Sequence, residues 1–480
     1  MRRVLFSSEP SEKEFFEEYN KFNGATPWFI LIFILRSLIP LCLALQTGTF
    51  EFSDSIDLYV EHFSITYNRT DNFIFQSSCA IKSKENETGH ECALQDCTQR
   101  DIALKMSLLK SIGFSLGPVF GGVFSDVFGR RIVSLSFSVI WFLSSLVIAL
   151  VNNKLLVEIF YSITVASANI VNVVTFVTFA EIANRKSRFL VVYTIMTIIL
   201  GSFMSISFAK LFTVWKYFST FVSSINVLII FACWYIPESP RWLLNKNKQR
   251  KVYDQLNDVS GLIYTVQVRN GAETAMKIEI LRLMFLFLFK SKMKYFLLIS
   301  WSMIISSFLY NCSKMKALLN FVNSGDYGVL ANVAEIMGYL FLLPIYIFLG
   351  KRFGLLFLYI LVAIQSLFAM FLATTEEIYH VAFGILFGTC TVCLNLLYCL
   401  DLFPTFLRGT MMGINFCVFG LTMVVTTFFA KVDLFAPEDE RKLNNMYYYV
   451  IFLCGGIFGL SVFLLPETAN QELPNFKLYE

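Results

Sequence analysis

Apolar runs of about 20 residues recur along this chain of 480 residues, and short polar or charged stretches separate them. A run of this length matches a helix that crosses a hydrocarbon layer about 30 Å thick. Twelve such runs are predicted, six on each side of a long polar stretch from about 245 to 294. They begin near Trp28, Ile102, Ile132, Leu155, Phe189, Tyr217, Tyr295, Val329, Gly354, Ile378, Gly409 and Met446. The pattern predicts an all-α integral membrane protein built from two six-helix halves.

Composition narrows the functional class. Hydrophobic residues make up 56% of the chain and charged residues only 15%, whereas soluble domains carry roughly a quarter charged residues. This excludes a soluble enzyme and a disordered scaffold, and a net charge of +4 is too small to indicate a nucleic-acid partner. No GxxxxGK[ST] motif, metal constellation or Ser/His/Asp triad stands out, and the chain has three histidines. We therefore expect no enzyme activity, no cofactor and no bound metal; the expected partners are lipid and a small solute.

Basic residues beside the spans predict the orientation, because cytoplasmic loops are enriched in Lys and Arg. They include Arg130, Arg131, Arg185, Lys186, Arg188, Lys351 and Arg352. The predicted division is a cytoplasmic N-terminus (1–27), a first bundle (28–237), a cytoplasmic central loop (238–294), a second bundle (295–466) and a cytoplasmic tail (467–480).

The loop 49–100, which follows the first span, is predicted to be extracellular. Glycosylation sequons begin at Asn68 and Asn86. The loop also holds Cys79, Cys92 and Cys97, and an oxidising compartment favours a disulfide between two of them, with the pairing left open.

Charged motifs recur in the loops on the opposite side. Residues 122–131 read GxxxDxxGRR, residues 237–244 read PESPRWLL and residues 466–468 read PET. An acidic residue precedes an arginine by seven positions twice, as Glu181 with Arg188 and as Asp401 with Arg408. Matching loops lie 220 to 229 residues apart, which indicates a duplicated six-span unit with a substrate site between the copies.

These motifs resemble the major facilitator superfamily. Three features resemble its organic cation/anion transporter family in particular. They are the long first outer loop, Asp401-Leu402-Phe403-Pro404-Thr405 with Arg408, and Leu465-Pro466-Glu467-Thr468. The resemblance covers nearly the whole chain and implies a transporter that works by alternating access. The contacts predicted to close the cytoplasmic side lie within each half. In the first half they involve Asp126, Arg130, Glu181, Arg188, Glu238 and Arg241, and in the second half they are mirrored by Asp401, Arg408 and Glu467.

One motif departs from the family pattern. The second-half copy of DxxGRR has Lys351 at the position of the aspartate. The loop contacts that hold the cytoplasmic side shut are therefore expected to be weak in the second half, or to use different partners.

Glu335 is the leading candidate for a substrate-binding residue, because an ionisable group inside a span costs at least about 2.5–3.5 kcal/mol on insertion scales. The resemblance implies a partner for it in Tyr310 of the seventh span. A carboxylate with an aromatic ring suits an organic ammonium ion. Anion carriers of the family typically have a lysine where this chain has Tyr339 and an arginine where it has Gly420. Cation carriers of the family commonly have an aspartate at the Gly420 position, which this chain lacks too. The anion interpretation thus loses both of its charges and the cation interpretation one of two, which favours organic cations or zwitterions over anions.

Further polar residues lie within predicted spans. Arg36 has two interpretations, an ion pair with Glu335 across the bundle or a cavity group that binds a carboxylate. Tyr339, Asn169 and Asn172 are cavity candidates, and the two asparagines have the alternative of bridging helices. Glu335 itself has the alternative of a bond to an asparagine or a backbone carbonyl.

The sequence thus predicts a twelve-span carrier of small organic ions in the plasma membrane. An anion transporter, a porter for sugars or other neutral solutes, and a receptor-like relative without transport remain the alternatives.

Overall fold

The computed structural model describes residues 3–5, 27–50, 90–183, 187–212, 214–246, 248, 251–252, 254–255, 263–265, 293–321, 326–372, 377–435 and 462–466. Four predicted site residues lie outside these ranges: Asn68, Cys79, Asn86 and Glu467. Cys92 and Cys97 lie on a described helix, but their side chains fall outside the described part.

Ten helices in the described ranges are long and apolar enough to cross a membrane, and a shorter apolar helix covers Arg352–Phe368. The spans, numbered in chain order, are Pro27–Gly48, Leu104–Phe128, Arg130–Leu150, Lys154–Ile182, Leu190–Leu211, Trp215–Tyr235, Lys294–Met315, Leu330–Leu349, Arg352–Phe368, Tyr379–Leu402 and Thr405–Phe429. Several helices continue beyond the span, as His90–Phe128, Met293–Phe321, Asp326–Leu349, Arg352–Leu372, Glu377–Leu402 and Thr405–Phe435. The predicted twelfth span, near Met446, lies outside the described residues.

Local sequence explains several helix ends. Asn153 caps the fourth span, because its side chain accepts from the backbone N–H of Leu155 at 3.0 Å. Gly129 separates the second and third spans at a φ of 112°, a conformation that favours glycine. Asn226 divides the sixth span into Trp215–Ile225 and Val227–Tyr235.

The outer surface of the helices is apolar, as a lipid environment requires. Phe348 and Leu211 are 83% and 75% exposed. The fourth and tenth spans are the most enclosed of the described spans, with 89% and 78% of their apolar windows buried. These two helices therefore form the inside of the bundle.

The two halves meet along the second and eleventh spans, where glycines allow the backbones to approach closely. A Cβ on Gly122 would overlap the carbonyl oxygen of Gly409, and a Cβ on Gly413 would overlap that of Pro118. The fifth and eighth spans meet as well, where the Tyr193 hydroxyl donates to the Tyr339 carbonyl at 3.2 Å.

Two three-residue strands add to the predicted all-helical fold. Arg3–Leu5 pairs in parallel with Ile263–Thr265. This sheet joins the segment before the first span to the stretch between the halves, and it is too short to give a periodic hydrophobic signal.

Candidate functional site

Two parts of the bundle bring the predicted site residues together. We call the end that carries Gly129, Glu181, Glu238 and Asp401 the motif face. The second part is a central cavity between the halves.

Asp126 links the second span to the eleventh at the motif face. Its Oδ1 accepts from the backbone N–H of Gly409 at 3.2 Å. Its Oδ2 accepts from both the backbone N–H and the hydroxyl of Thr410, each at 2.8 Å. Arg130 Nη2 lies 3.1 Å from Asp126 Oδ1. The buried carboxylate therefore sits close to the start of a helix, where the dipole favours an anion.

Glu181 forms a second link between the halves, so the prediction that it makes only first-half contacts is wrong. Its Oε1 accepts from Arg408 Nη1 at 2.8 Å and from Arg130 Nη2 at 3.2 Å. The guanidinium of Arg408 also donates to the carbonyls of Leu400 and Phe403, each at 3.0 Å. Arg408 thus satisfies carbonyl groups at the end of the tenth span while it binds a carboxylate of the other half.

Asp401 forms the third link. Arg188 Nη1, from the first half, donates to Asp401 Oδ1 at 2.8 Å. Lys351 forms an ion pair with Asp401 Oδ2. The lysine that departs from the family pattern therefore pairs with the same carboxylate as Arg188, but from within the second half. Asp401 thus binds one cation from each half.

Among the described residues, the Glu238 carboxylate accepts from no group of the second half. It accepts from the backbone N–H groups of Arg130 at 2.8 Å and Ser239 at 3.1 Å. Burial raises the pKa of Glu238, and Arg130 and the backbone donors oppose that shift. Arg241 lies half-buried on the short helix Pro240–Asn245.

A cavity of about 230 Å³ lies between the two halves. Eight spans line it, the first, second, fourth, fifth, seventh, eighth, tenth and eleventh. Its charged lining side chains in the described part are Lys110, Lys314 and Glu335. Aromatic rings supply apolar surface, from Phe114, Tyr310, Tyr339, Phe416 and Phe419. The cavity has the mixed polarity of a small-molecule site and lies between the two halves.

Glu335 lies in this cavity with the predicted Tyr310 and with a lysine that sequence reasoning missed. The Tyr310 hydroxyl donates to Glu335 Oε1 at 3.0 Å. Lys314 Nζ lies 2.5 Å from Glu335 Oε2, and its side chain is 31% exposed against 4% for that of Glu335. The ammonium is therefore the more accessible member of the pair. Glu335 pairs with Lys314 of the seventh span, so the prediction of an Arg36–Glu335 pair is wrong.

The other predicted substrate residues differ in whether they line the cavity. Tyr339 and Asn172 line the cavity. Asn169 does not, because it is fully buried and its amide donates to the Val165 carbonyl of its own helix at 2.8 Å. Arg36 lies one layer behind the lining, where it donates to Asn172 Oδ1 at 2.7 Å.

Lys110 and Lys314 are cavity residues that the sequence could have revealed. Both are ionisable residues within predicted spans, and Lys314 follows Tyr310 by four residues, so the two share a helical face. In the part of the chain that the structure describes, no cluster of three His, Cys, Asp or Glu side chains could hold a metal ion.

Known proteins with similar sequences are transporters. The family model described as "Sugar (and other) transporter" matches residues 68–477. Mouse Organic anion transporter 3 is 24% identical over 413 residues, which cover 78% of this chain and 73% of that protein. Human Solute carrier family 22 member 16 is 26% identical over 416 residues, which cover 78% and 67% of the two chains.

Solved structures share the fold. The proton:xylose symporter XylE of the major facilitator superfamily, bound to 6-bromo-6-deoxy-D-glucose, superposes with a TM-score of 0.68 at 16% identity, covering 93% of this chain and 98% of that one. The human organic anion transporter MFSD10 (TETRAN) gives a TM-score of 0.57 at 14% identity, with 92% and 100% covered. These likenesses confirm the predicted twelve-helix fold class.

The loop motifs, the two-half bundle with its central cavity and the family match over residues 68–477 lead to one conclusion. The chain is a multi-pass membrane transporter that belongs to the Sugar (and other) transporter family of the major facilitator superfamily.

Proposed function

We propose that this transporter carries small organic anions by alternating access. The observation that supports this proposal is the charge of the cavity. Its described lining includes two lysines, Lys110 and Lys314, and a single acidic residue, Glu335. An anionic substrate balances such a lining, whereas an organic cation adds to its positive charge.

The pairing of Glu335 argues against the cation cage expected from the sequence. A carboxylate attracts a desolvated cation when its charge is available, but Lys314 lies 2.5 Å away. A cation that displaced Lys314 would leave the ammonium group without its acidic partner. The more exposed ammonium, by contrast, reaches an anion while it stays close to Glu335.

Other lining groups favour an aromatic or amphipathic anion. Asn332 is 5% exposed, and its Nδ2 donor has no hydrogen-bond partner among the described residues. A substrate carboxylate can accept from this donor. Tyr310 and Phe419, with ring centroids 5.8 Å apart, offer apolar surface to the substrate body. The names of mouse Organic anion transporter 3 and human MFSD10 agree with this class.

We further propose that the motif face is cytoplasmic and that the protein acts in the plasma membrane. In that orientation the three cross-half links of Asp126, Glu181 and Asp401 close the cytoplasmic side of the cavity. Transport then requires these links to break, so that the halves rock and open the cavity to the other side.

Uptake into proteoliposomes at zero membrane potential tests the proposal. The probes are 4-aminobenzoate, tetraethylammonium and glucose, each radiolabelled. We expect uptake of 4-aminobenzoate and a loss of about tenfold or more in its apparent affinity in Lys314→Gln, because a hydrogen bond to a charged group contributes about 1.5–3 kcal/mol.

Lys105→Gln is the matched control. Lys105 pairs with Glu158 at 2.7 Å, its side chain is 45% exposed, and it is not a lining residue. An exposed pair of this kind contributes little, so uptake is expected to stay unchanged. Uptake of tetraethylammonium or glucose without 4-aminobenzoate would overturn the proposal.

A further inference from the structure

Arg36 is a fully buried cation in the middle of the first span, with 0% exposure. Among the described residues, its hydrogen bonds go to Asn172 alone, through Oδ1 at 2.7 Å and the backbone carbonyl at 3.1 Å. Its Nε and Nη1 donors have no hydrogen-bond partner among the described residues. A guanidinium in this setting is costly unless a negative charge compensates it.

The other buried arginines of the described ranges meet this requirement. Arg130 and Arg408 bind Glu181, and Arg188 binds Asp401. Arg36 has no described carboxylate within ion-pair distance. Phe176 lies at 5.8 Å from its guanidinium carbon, and Cys233 is the neighbouring titratable group. A ring and a thiol do not supply a full negative charge.

Asn172 connects this cation to the cavity. The residue lines the cavity, and its side-chain oxygen faces the guanidinium. The amide oxygen of Asn172 occupies the position that a carboxylate oxygen would take beside the guanidinium, but it carries no full negative charge. Arg36 therefore lies behind a side chain of the cavity lining.

We propose that Arg36 is a second, deeper anion-binding group of the transport cavity. A substrate carboxylate or sulfonate replaces the Asn172 side-chain oxygen and binds the guanidinium in bidentate fashion, using a donor that is unpartnered in this structure. The exchange is favourable because a charge-assisted pair is stronger than the neutral amide contact that it replaces. This inference rests on the proposed transport of organic anions and names a further residue of that site.

Asn172→Asp tests the inference, because it supplies an internal carboxylate of nearly the same shape. The aspartate is expected to occupy Arg36 permanently. Binding of 4-aminobenzoate to the purified full-length protein, measured by titration calorimetry, should weaken at least tenfold. The melting temperature should stay the same or rise, because the buried cation gains a partner.

Two further variants sharpen the test. Arg36→Gln should also weaken 4-aminobenzoate binding at least tenfold. Asn169→Asp puts a carboxylate on the same helix at a buried position that does not line the cavity. It should lower the melting temperature, because Asn169 bonds to the Val165 carbonyl and to no arginine among the described residues.

The outcomes separate this inference from the proposed function. Equal affinity of the wild-type protein and Asn172→Asp would assign Arg36 a purely structural role and overturn the inference alone. No binding of 4-aminobenzoate or benzenesulfonate to the wild-type protein would overturn both proposals. Weak binding by Asn172→Asp with an unchanged melting temperature would support the inference.

Discussion

Asp126 and Thr410 join the two halves of this transporter through two hydrogen bonds to one oxygen atom. One carboxylate oxygen of Asp126, on the second span, accepts from both the backbone N–H and the hydroxyl of Thr410, on the eleventh. Because neither residue is exposed, water does not substitute readily for these bonds while the motif face is closed. The bond is therefore a direct structural link between the sequence motif on the second span and the eleventh span of the other half.

Asp126→Asn is expected to slow turnover more than it weakens substrate binding. The substitution removes the charge opposite Arg130 and turns an acceptor into a donor, and removing one member of a buried pair costs about 3–5 kcal/mol. The cavity lies away from this link, so KM should change by less than about threefold while kcat falls about tenfold or more. Initial uptake rates over a concentration series check this. A raised KM with unchanged kcat would contradict the gating role.

Arg188→Met is expected to loosen the motif face more than Lys351→Met does. Both cations pair with Asp401, but Arg188 alone of the two belongs to the other half. Loss of Lys351 leaves the cross-half bond in place. Hydrogen exchange at the motif-face ends of the tenth and eleventh spans should therefore rise in the order wild type, Lys351→Met, Arg188→Met. The reverse order of the two variants would show that Lys351 stabilises the motif face more than Arg188 does.

Gly413→Ala should destabilise the protein in its closed form. The new Cβ would overlap the backbone carbonyl oxygen of Pro118, which cannot move without shifting the second span. Overpacking of this kind typically costs about 1–3 kcal/mol. Gly354→Ala is the matched control, because its nearest neighbour is a side-chain methyl of Ile345 at 2.9 Å. Thermal unfolding should show the larger loss of melting temperature for Gly413→Ala; equal losses would contradict the close helix approach.

The sequons at Asn68 and Asn86 test the proposed orientation. If the loop 49–100 faces the outside, the protein from eukaryotic cells should carry N-linked glycans. Treatment with peptide N-glycosidase should then increase its electrophoretic mobility, and an Asn68→Gln, Asn86→Gln double variant should not respond. A wild-type protein that shows no change in mobility would contradict this orientation.

Much of the fold was predictable because hydrophobic length is a strong signal in membrane proteins. The observed spans begin within a few residues of the predicted starts, for example at Pro27 against Trp28 and at Lys154 against Leu155. The acidic and basic loop residues were expected to pair within each half, whereas Glu181 binds Arg408 and Arg188 binds Asp401 across the halves. The short strand pair was not predictable, since three residues carry no useful periodicity.

The cavity was harder to predict because its charge depends on contacts between different helices. Glu335 stood out as an ionisable residue in a span, but its partner Lys314 lies 21 positions away on another helix. Spacing alone gave Asn169 and Asn172 equal weight, whereas packing puts only Asn172 in the cavity lining. The preference for organic cations or zwitterions came from Glu335 considered without Lys314 and from the lysine and arginine that are missing at Tyr339 and Gly420.

The most direct test of the anion account is the uptake of 4-aminobenzoate and tetraethylammonium by Glu335→Gln in proteoliposomes. Removing the carboxylate leaves Lys314 more available to a substrate anion, so the account predicts that 4-aminobenzoate uptake persists with a KM lowered by about threefold or more. Tetraethylammonium should not be carried by either protein. Tetraethylammonium uptake by the wild type that disappears in Glu335→Gln would contradict the account and restore the carboxylate as a cation site.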